Sequence, residues 1–265
     1  MPLAKNDGAD LYWETSGNGP PLILAAGLGG VLGYWQPNRA ALERHFTLYL
    51  FDQRGTGKSS KTKVSSIEQM SSDLIAIMDA AGLASAHYLG HSTGGAIGVA
   101  TALDHPDRLR SLMIYASTTH GDAYRRRIFD LRRQLHAGLG TEAYAKYSSL
   151  LLYPPYWINA NHEALVEAEI SAARQLGDPA VQASRLDAIL AFDRRSELHR
   201  IRMPAIIVCA DDDILTPRYF SEGFAARIPN AKTNFAKRGG HALSRTEPEI
   251  FNQIAIDFFC GASSS

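Results

Sequence analysis

The sequence predicts an α/β fold, a mostly parallel sheet with helices on both faces and a helical lid inserted once into the alternation. Three observations carry this. Short, continuous apolar runs recur between segments of helical periodicity, as expected for strands buried on both faces. One run, Ala86-His87-Tyr88-Leu89-Gly90, passes through Gly90-His91-Ser92-Thr93-Gly94-Gly95 directly into the small-residue helical pattern Ala96 to Leu103. Finally, from about Thr118 to Arg200 the alternation stops and only helical periodicity remains.

The elements follow in order. Ala9 to Thr15 is rich in strand formers and is closed by the turn residues Ser16 to Pro21. Leu22 to Ala26 is a buried strand that breaks into Gly27-Leu28-Gly29-Gly30, where glycines permit close backbone approach. A helix is predicted over Tyr34 to His45 and a strand over Phe46 to Phe51. The segment Asp52 to Ser60 contains Gly57-Lys58-Ser59, but a phosphate loop needs a Gly at position 52, and Asp stands there. Nucleotide binding is therefore rejected, and Asp52, Arg54 and the glycines are read as knitting a turn at the sheet rim.

Ser66 to Ala81 carries Ile67, Met70, Leu74, Ile77 and Met78 on one helical face, with Gly82 as the C-cap. Arg110 to Ala116 is the strand after the Gly-x-Ser-x-Gly segment and its helix. Within 118–200, Tyr124, Ile128, Leu131 and Leu135 space as one helical face, and Arg125, Arg126, Arg127, Arg132 and Arg133 are expected on the solvated remainder. Three further helices are predicted over Glu142 to Leu152, Ala160 to Leu176 and Pro179 to Phe192, broken by Pro154-Pro155 and Gly177-Asp178-Pro179. The strand rhythm resumes at Ala205 to Ala210, followed by a helix to about Ile228 and a strand near Thr233 to Ala236. A last helix starts near Pro248 and runs to about Phe259, before a tail over 262–265 expected to be disordered.

The reading for domains is a core of residues 1–117 and 201–261 with a lid of residues 118–200. At 265 residues and 45% hydrophobic, the chain suits one sizeable domain with an insertion. Lys plus Arg and Asp plus Glu number 27 each, so no global basic field exists to gather nucleic acid or an anionic membrane. Cys209 and Cys260 have no disulfide-framework or metal-ligand spacing, and both are read as buried small hydrophobes. The N-terminal residues lack an apolar signal region, and no run approaches the ~18–20 apolar residues that span a bilayer. A soluble, cytoplasmic protein acting on a small molecule is expected.

A strand-to-helix turn as sharp as the one at Gly90-His91-Ser92-Thr93-Gly94 brings two backbones together. Glycines two residues either side of Ser92 remove side chains that would collide there. Ser92 then stands at a helix N-terminus, whose free N–H groups and positive dipole end favour a developing oxyanion. A serine hydroxyl needs a base and a group to orient that base. His91 adjoins Ser92, but the turn is expected to send its side chain another way. His87, His105, His120, His136, His162 and His199 are scattered, whereas His241 follows Gly239-Gly240 just after the final strand, on the same rim. It is the candidate base. Asp211, Asp212 and Asp213 sit together past the preceding strand, and one of the three is the candidate orienting acid. Ser, Asp, His in that order is the order this strand–turn–helix arrangement uses.

These segments resemble the α/β-hydrolases: Gly-Leu-Gly-Gly at 27–30, Phe-Asp-Gln-Arg-Gly-Thr-Gly-Lys-Ser at 51–59, Gly-His-Ser-Thr-Gly-Gly at 90–95, Asp-Asp-Asp-Ile-Leu-Thr-Pro at 211–217 and Gly-Gly-His-Ala at 239–242. Within that superfamily the chain most resembles the aminoacrylate hydrolases of the Rut pyrimidine-degradation pathway, and next the 3-oxoadipate enol-lactonases. The resemblance implies eight strands with a four-helix lid after strand 6. It selects Asp213 as the acid, four residues before Pro217. It also assigns the backbone N–H groups of Leu28 and Thr93 as the oxyanion hole. Many members carry His-Gly in the oxyanion loop where this chain has Ala26-Gly27, so the loop must be hydrogen-bonded differently.

The implied chemistry is acyl transfer through a covalent Ser92 intermediate, on an ester, lactone or enamine/amide-type bond, with no metal or organic cofactor. A ligand receptor, or a lyase or perhydrolase using the same residues, is the competing class. Tyr153 and Trp157 are candidate pocket residues, and the lid arginines are candidates to pair with a substrate carboxylate.

Overall fold

The computed structural model describes residues 2–262. Its strands are β1 (Leu3–Asn6), β2 (Ala9–Gly17), β3 (Pro21–Ala25), β4 (Thr47–Phe51), β5 (Ala86–His91), β6 (Leu109–Tyr115), β7 (Ala205–Ala210) and β8 (Lys232–Ala236). The core helices are α1 (Gln36–Leu42), α2 (Ile67–Ala80) and α3 (Thr93–Asp104). Between β6 and β7 lie α4 (Ala123–Leu152), α5 (Pro155–Ala160), α6 (His162–Gln175) and α7 (Pro179–Ala191). After β7 come α8 (Tyr219–Ala225), α9 (Leu243–Thr246) and α10 (Pro248–Ala262).

The strands form one sheet in the order β1-β2-β4-β3-β5-β6-β7-β8. The β1–β2 and β2–β4 pairs are antiparallel and the remainder parallel. Alternate residues of the central strands feed two cores. Ile23, Tyr88, Leu112 and Ile207 face one, while Leu22, Leu24, Leu89, Met113 and Val208 face the other. Burial on both faces is why these strands read as unbroken apolar runs. From β3 the chain steps to β4 on one side and later to β5 on the other, making the carboxyl end of β3 and β5 a topological switch point. Ligands of open α/β sheets bind at such a point.

Several elements differ from the sequence expectation. The strand β1 was not foreseen, because its four residues include two exposed ones and an isolated buried Ala4. The helix expected over Tyr34 to His45 is a 3₁₀ turn at Leu32–Trp35 followed by α1, which begins at Gln36 and carries Pro37 in its first turn. Pro154-Pro155 does not simply break the chain, since Pro155 opens the short α5 as its first residue. The two helices expected either side of residue 140 run as α4, interrupted at Gly140 (φ 83°). Cys209 is buried, but Cys260 is exposed on α10. The expected tail lies outside the described residues except for Ala262, which ends α10.

The inward face of α4 is also rotated from the one expected. Tyr124 and Leu131 are each 42% exposed, whereas Arg125, Ile128, Phe129, Arg132 and His136 are buried. Residues on one helical face recur every three to four positions, and the real stripe sits one residue further along. Two arginines take interior positions, with their guanidinium groups set against aromatic rings. Arg125 lies 4.7 Å from the Phe129 ring centroid, and Arg132 4.9 Å from that of Tyr144.

Candidate active site

Ser92 occupies the junction of β5 and α3 with φ 52° and ψ −113°, in the region that side-chain-bearing residues rarely adopt. The flanking glycines make this turn sterically feasible. A Cβ on Gly90 would stand 2.3 Å from the Gly94 carbonyl oxygen, and one on Gly94 would stand 2.4 Å from that of Ala25. Ser92 N–H donates to the Tyr115 carbonyl (2.8 Å), and Ser117 Oγ donates to the Ser92 carbonyl. The bend is thereby tied to β6.

His241 lies on the loop between β8 and α9, 2.9 Å from Asp213 Oδ2 through Nδ1, with both side chains buried. Asp213 follows β7. Its Oδ1 accepts from the N–H groups of Leu215 (2.8 Å) and Thr216 (2.9 Å), and its Oδ2 accepts from Thr216 Oγ1 (2.7 Å). Four donors thus converge on one carboxylate and fix its plane. Of the neighbouring acids, Asp212 accepts from Gly240 N–H (2.7 Å), holding the loop that carries His241, and Asp211 pairs with Arg218 on the surface.

Ser92 and His241 line the same cavity, of about 400 Å³, between the sheet rim and the lid helices α4, α6 and α7. Among the described residues no hydrogen bond joins the Ser92 hydroxyl to the His241 ring; unliganded sites often leave this contact open until substrate binds. Leu28 and Thr93 line the cavity as well. Thr93 is the first residue of α3, so its N–H has no acceptor within the helix. Among the described residues, neither its N–H nor that of Leu28 donates to a backbone or side-chain acceptor.

The loop that carries Leu28 is braced from behind by Gln53 and Arg185. Gln53 Nε2 donates to the Ala26 carbonyl (2.6 Å), and Gln53 Oε1 accepts from Arg185 Nη2 (2.6 Å). Arg185 also donates to the carbonyls of Leu28 (3.0 Å) and Arg54. These bonds occupy the loop's carbonyls. Full burial pushes the Arg185 guanidinium down to about 10.

Among the described residues His91 forms no hydrogen bond with Ser92. It lines the cavity, and its Nε2 lies 3.0 Å from the His241 carbonyl oxygen. The ring is stacked on Tyr34, with centroids 4.6 Å apart and planes at 9°. Burial, reinforced by the neighbouring His241, holds His91 well below the usual histidine range. The neutral ring therefore carries one N–H, which donates from Nε2 to that carbonyl. Tyr115 Oη donates to the same oxygen (2.9 Å), so two buried rings clamp the backbone of His241. Tyr153 lines the cavity. Trp157 does not; it stacks behind Tyr153 with ring centroids 4.4 Å apart.

Sequence reasoning missed Thr216, Tyr115, Arg185 and Gln53. Thr216 stood in the quoted Asp-x-x-Thr-Pro segment, and Gln53 in the quoted 51–59 segment, so both had a signal. Tyr115 and Arg185 are single residues within ordinary strand and helix patterns and carried none.

Residues 20–144 match the family model described as alpha/beta hydrolase fold, which agrees with the strand order and the bend at Ser92. The chain is 39% identical over 262 residues to a protein of Azorhizobium caulinodans named carbamate hydrolase RutD, covering 98% of both chains. It is 36% identical to the protein of that name from Caulobacter vibrioides, covering 99% of both. The chain belongs to the α/β-hydrolase family and is a hydrolase. Among solved structures, it is similar to the enol-lactonase from Burkholderia xenovorans, with a TM-score of 0.90, 26% identity, and coverage of 98% of this chain and 100% of that one. No helix among the described residues is long and apolar enough to cross a membrane.

Proposed function

We propose that this hydrolase uses Ser92 as nucleophile, His241 as general base and acid, and Asp213 as the group that orients His241, on a small-molecule ester, lactone or C–N acyl bond. The observation that carries the reading is the conjunction in one cavity of a serine at φ 52° and a histidine backed by a four-fold bonded carboxylate.

In the first step His241 Nε2 takes the Ser92 proton as Oγ bonds to the carbonyl carbon. The carbonyl π pair moves onto oxygen, which accepts from the N–H groups of Leu28 and Thr93. Collapse of the tetrahedral species breaks the bond to the leaving group, which receives the proton from His241. Water then attacks the acyl-serine, giving its proton to His241, and the second collapse releases the acid as His241 returns that proton to the departing Ser92 oxygen. Each oxyanion donor is worth ~3–4 kcal/mol of barrier in comparable sites. The substrate class is supported by what the relatives are named for, carbamate hydrolysis in one case and an enol-lactone in the other. These are acyl carbonyls bearing a heteroatom leaving group.

The test is steady-state hydrolysis of p-nitrophenyl acetate in water enriched in heavy oxygen. Continuous turnover is expected, with solvent oxygen in the released acetate. Ser92→Ala is expected to lose at least 10³-fold in kcat while keeping the wild-type circular dichroism spectrum. Turnover surviving in Ser92→Ala at the wild-type rate excludes Ser92 as nucleophile.

A further inference from the structure

The cavity contains a buried cation that the proposed reaction does not use. Arg132, on α4, is 6% exposed and lines the same cavity as Ser92. Its Nη2 donates to Ser148 Oγ (2.9 Å), and that hydroxyl donates onward to the Tyr144 carbonyl (2.7 Å). Among the described residues its Nε has no hydrogen-bond partner, and no Asp or Glu carboxylate pairs with its guanidinium. The next residue makes the contrast. Arg133, on the outer face of α4, pairs with both Asp130 and Asp187.

Packing alone accounts poorly for this placement. The rings of Phe129 and Tyr144 accept the guanidinium face, at 5.8 and 4.9 Å. They leave its edge, where the N–H fork lies, short of acceptors. A guanidinium stripped of water is costly unless an anion meets it, and its planar fork matches a carboxylate. Glu169, half-buried, lines the same cavity but forms no ion pair with Arg132 among the described residues. The internal acid therefore leaves the fork to an incoming ligand.

We propose that Arg132, with Ser148 as its brace, is the subsite for a substrate carboxylate that is distinct from the acyl group attacked by Ser92. This inference rests on the reading of Ser92 as nucleophile and narrows its substrate class to bifunctional molecules, with a scissile ester, lactone or C–N acyl group at one end and a carboxylate at the other. A bare carbamate is a poor fit, because its one carboxyl group would have to be both the anion held and the carbon attacked.

Two matched esters separate the alternatives, p-nitrophenyl hydrogen glutarate and p-nitrophenyl pentanoate, which share an acyl chain of five carbons and differ in the terminal carboxylate. Wild-type kcat/KM is expected to favour the glutarate ester after subtraction of its spontaneous hydrolysis. In Arg132→Gln the ratio between the two is expected to fall at least tenfold, chiefly through KM for the charged ester, with Arg132→Lys recovering part of it. An unchanged ratio in Arg132→Gln overturns the proposal. Calorimetry on Ser92→Ala provides a readout independent of the chemistry. Glutarate is expected to bind and glutaramide not to, and adding Arg132→Gln is expected to abolish glutarate binding. Equal glutarate affinity with and without Arg132 overturns the subsite even where the Ser92 assignment stands. Conversely, turnover by Ser92→Ala would remove that assignment while leaving this binding result to decide Arg132. Should Arg132→Gln fail to fold, competitive inhibition of wild-type pentanoate hydrolysis by glutarate but not glutaramide supports the subsite, and equal inhibition by both overturns it.

Discussion

Thr216 shows how much one side chain contributes at the residue scale. Its hydroxyl donates to Asp213 Oδ2 at 2.7 Å and lies 3.1 Å from His241 Nδ1, so it touches both members of the acid–base pair. The Nδ1–H of His241 is thus shared between a carboxylate oxygen and a hydroxyl oxygen. Thr216→Val keeps the shape and removes the bonding. Losing one buried hydrogen bond to a charged group costs roughly 1.5–3 kcal/mol, and part of that falls on the orientation of the imidazole. The expected outcome is a fall in kcat/KM of about tenfold, corresponding to ~1.4 kcal/mol, with an unchanged circular dichroism spectrum. A rate within twofold of wild type would mean that Asp213 holds His241 without help. From the sequence, the run Asp211-Asp212-Asp213 offered three equivalent acids, and spacing alone did not rank them. The structure separates them by backbone geometry. Only Asp213 sits where two successive N–H groups turn back onto its carboxylate, while Asp212 reaches Gly240 and Asp211 reaches Arg218.

Among the elements, β5 concentrates the most demands. It is buried along its whole length, carries Ser92 at its end, and includes two histidines. His87 bonds to Ser111 Oγ at 2.7 Å, and burial, with a smaller contribution from Arg110, lowers it to about 4. A histidine held neutral in the folded state takes up a proton more readily when unfolded, so it contributes stability above the unfolded value near 6.5. That stability is lost as the pH falls from about 6.5 towards 4. The thermal midpoint of the wild-type protein is therefore expected to drop between pH 7 and pH 4.5, and His87→Gln to show a shallower drop over the same interval. Parallel curves for the two proteins would contradict a buried neutral His87. The strand was legible because its run of apolar residues ended in glycines at fixed spacing from Ser92. The lid helix α4 was legible as a helix but not in its orientation. Hydrophobic spacing pointed to Tyr124 and Leu131 as inward residues, whereas Arg125 and Arg132 hold those interior positions against aromatic rings. A pattern that counts arginine as solvated has no means of detecting that exchange.

At the scale of the whole molecule, the core and the inserted helices divide the work. The sheet brings residues far apart in sequence to one rim: Leu28 after β3, Ser92 after β5, Asp213 after β7 and His241 after β8. Each lies beyond the carboxyl end of a parallel strand, and strand order sets their spacing. Gln53 after β4 and Arg185 on α7 brace the loop that carries Leu28, so an inserted helix helps to hold a loop of the core. The helices α4, α6 and α7 close the cavity above and supply Arg132, Tyr144 and Gln182 to its lining. This division explains what the sequence revealed at large scale. The recurrence of apolar runs and the order Ser, Asp, His extend over the whole chain and survive local irregularity. The lining of the cavity depends on how the four inserted helices rotate against one another, and that is set by packing which no spacing rule records.

Everything proposed for the reaction depends on Ser92 acting as the covalent nucleophile. The most direct test is intact-mass and peptide-mapping spectrometry after treatment with an aryl fluorophosphonate. The account predicts a single adduct per chain, located on Ser92, absent from Ser92→Ala and slowed at least 10²-fold in His241→Ala, the range expected for loss of a general base. An adduct on any other residue, or a fully active protein that takes up no label, would contradict it.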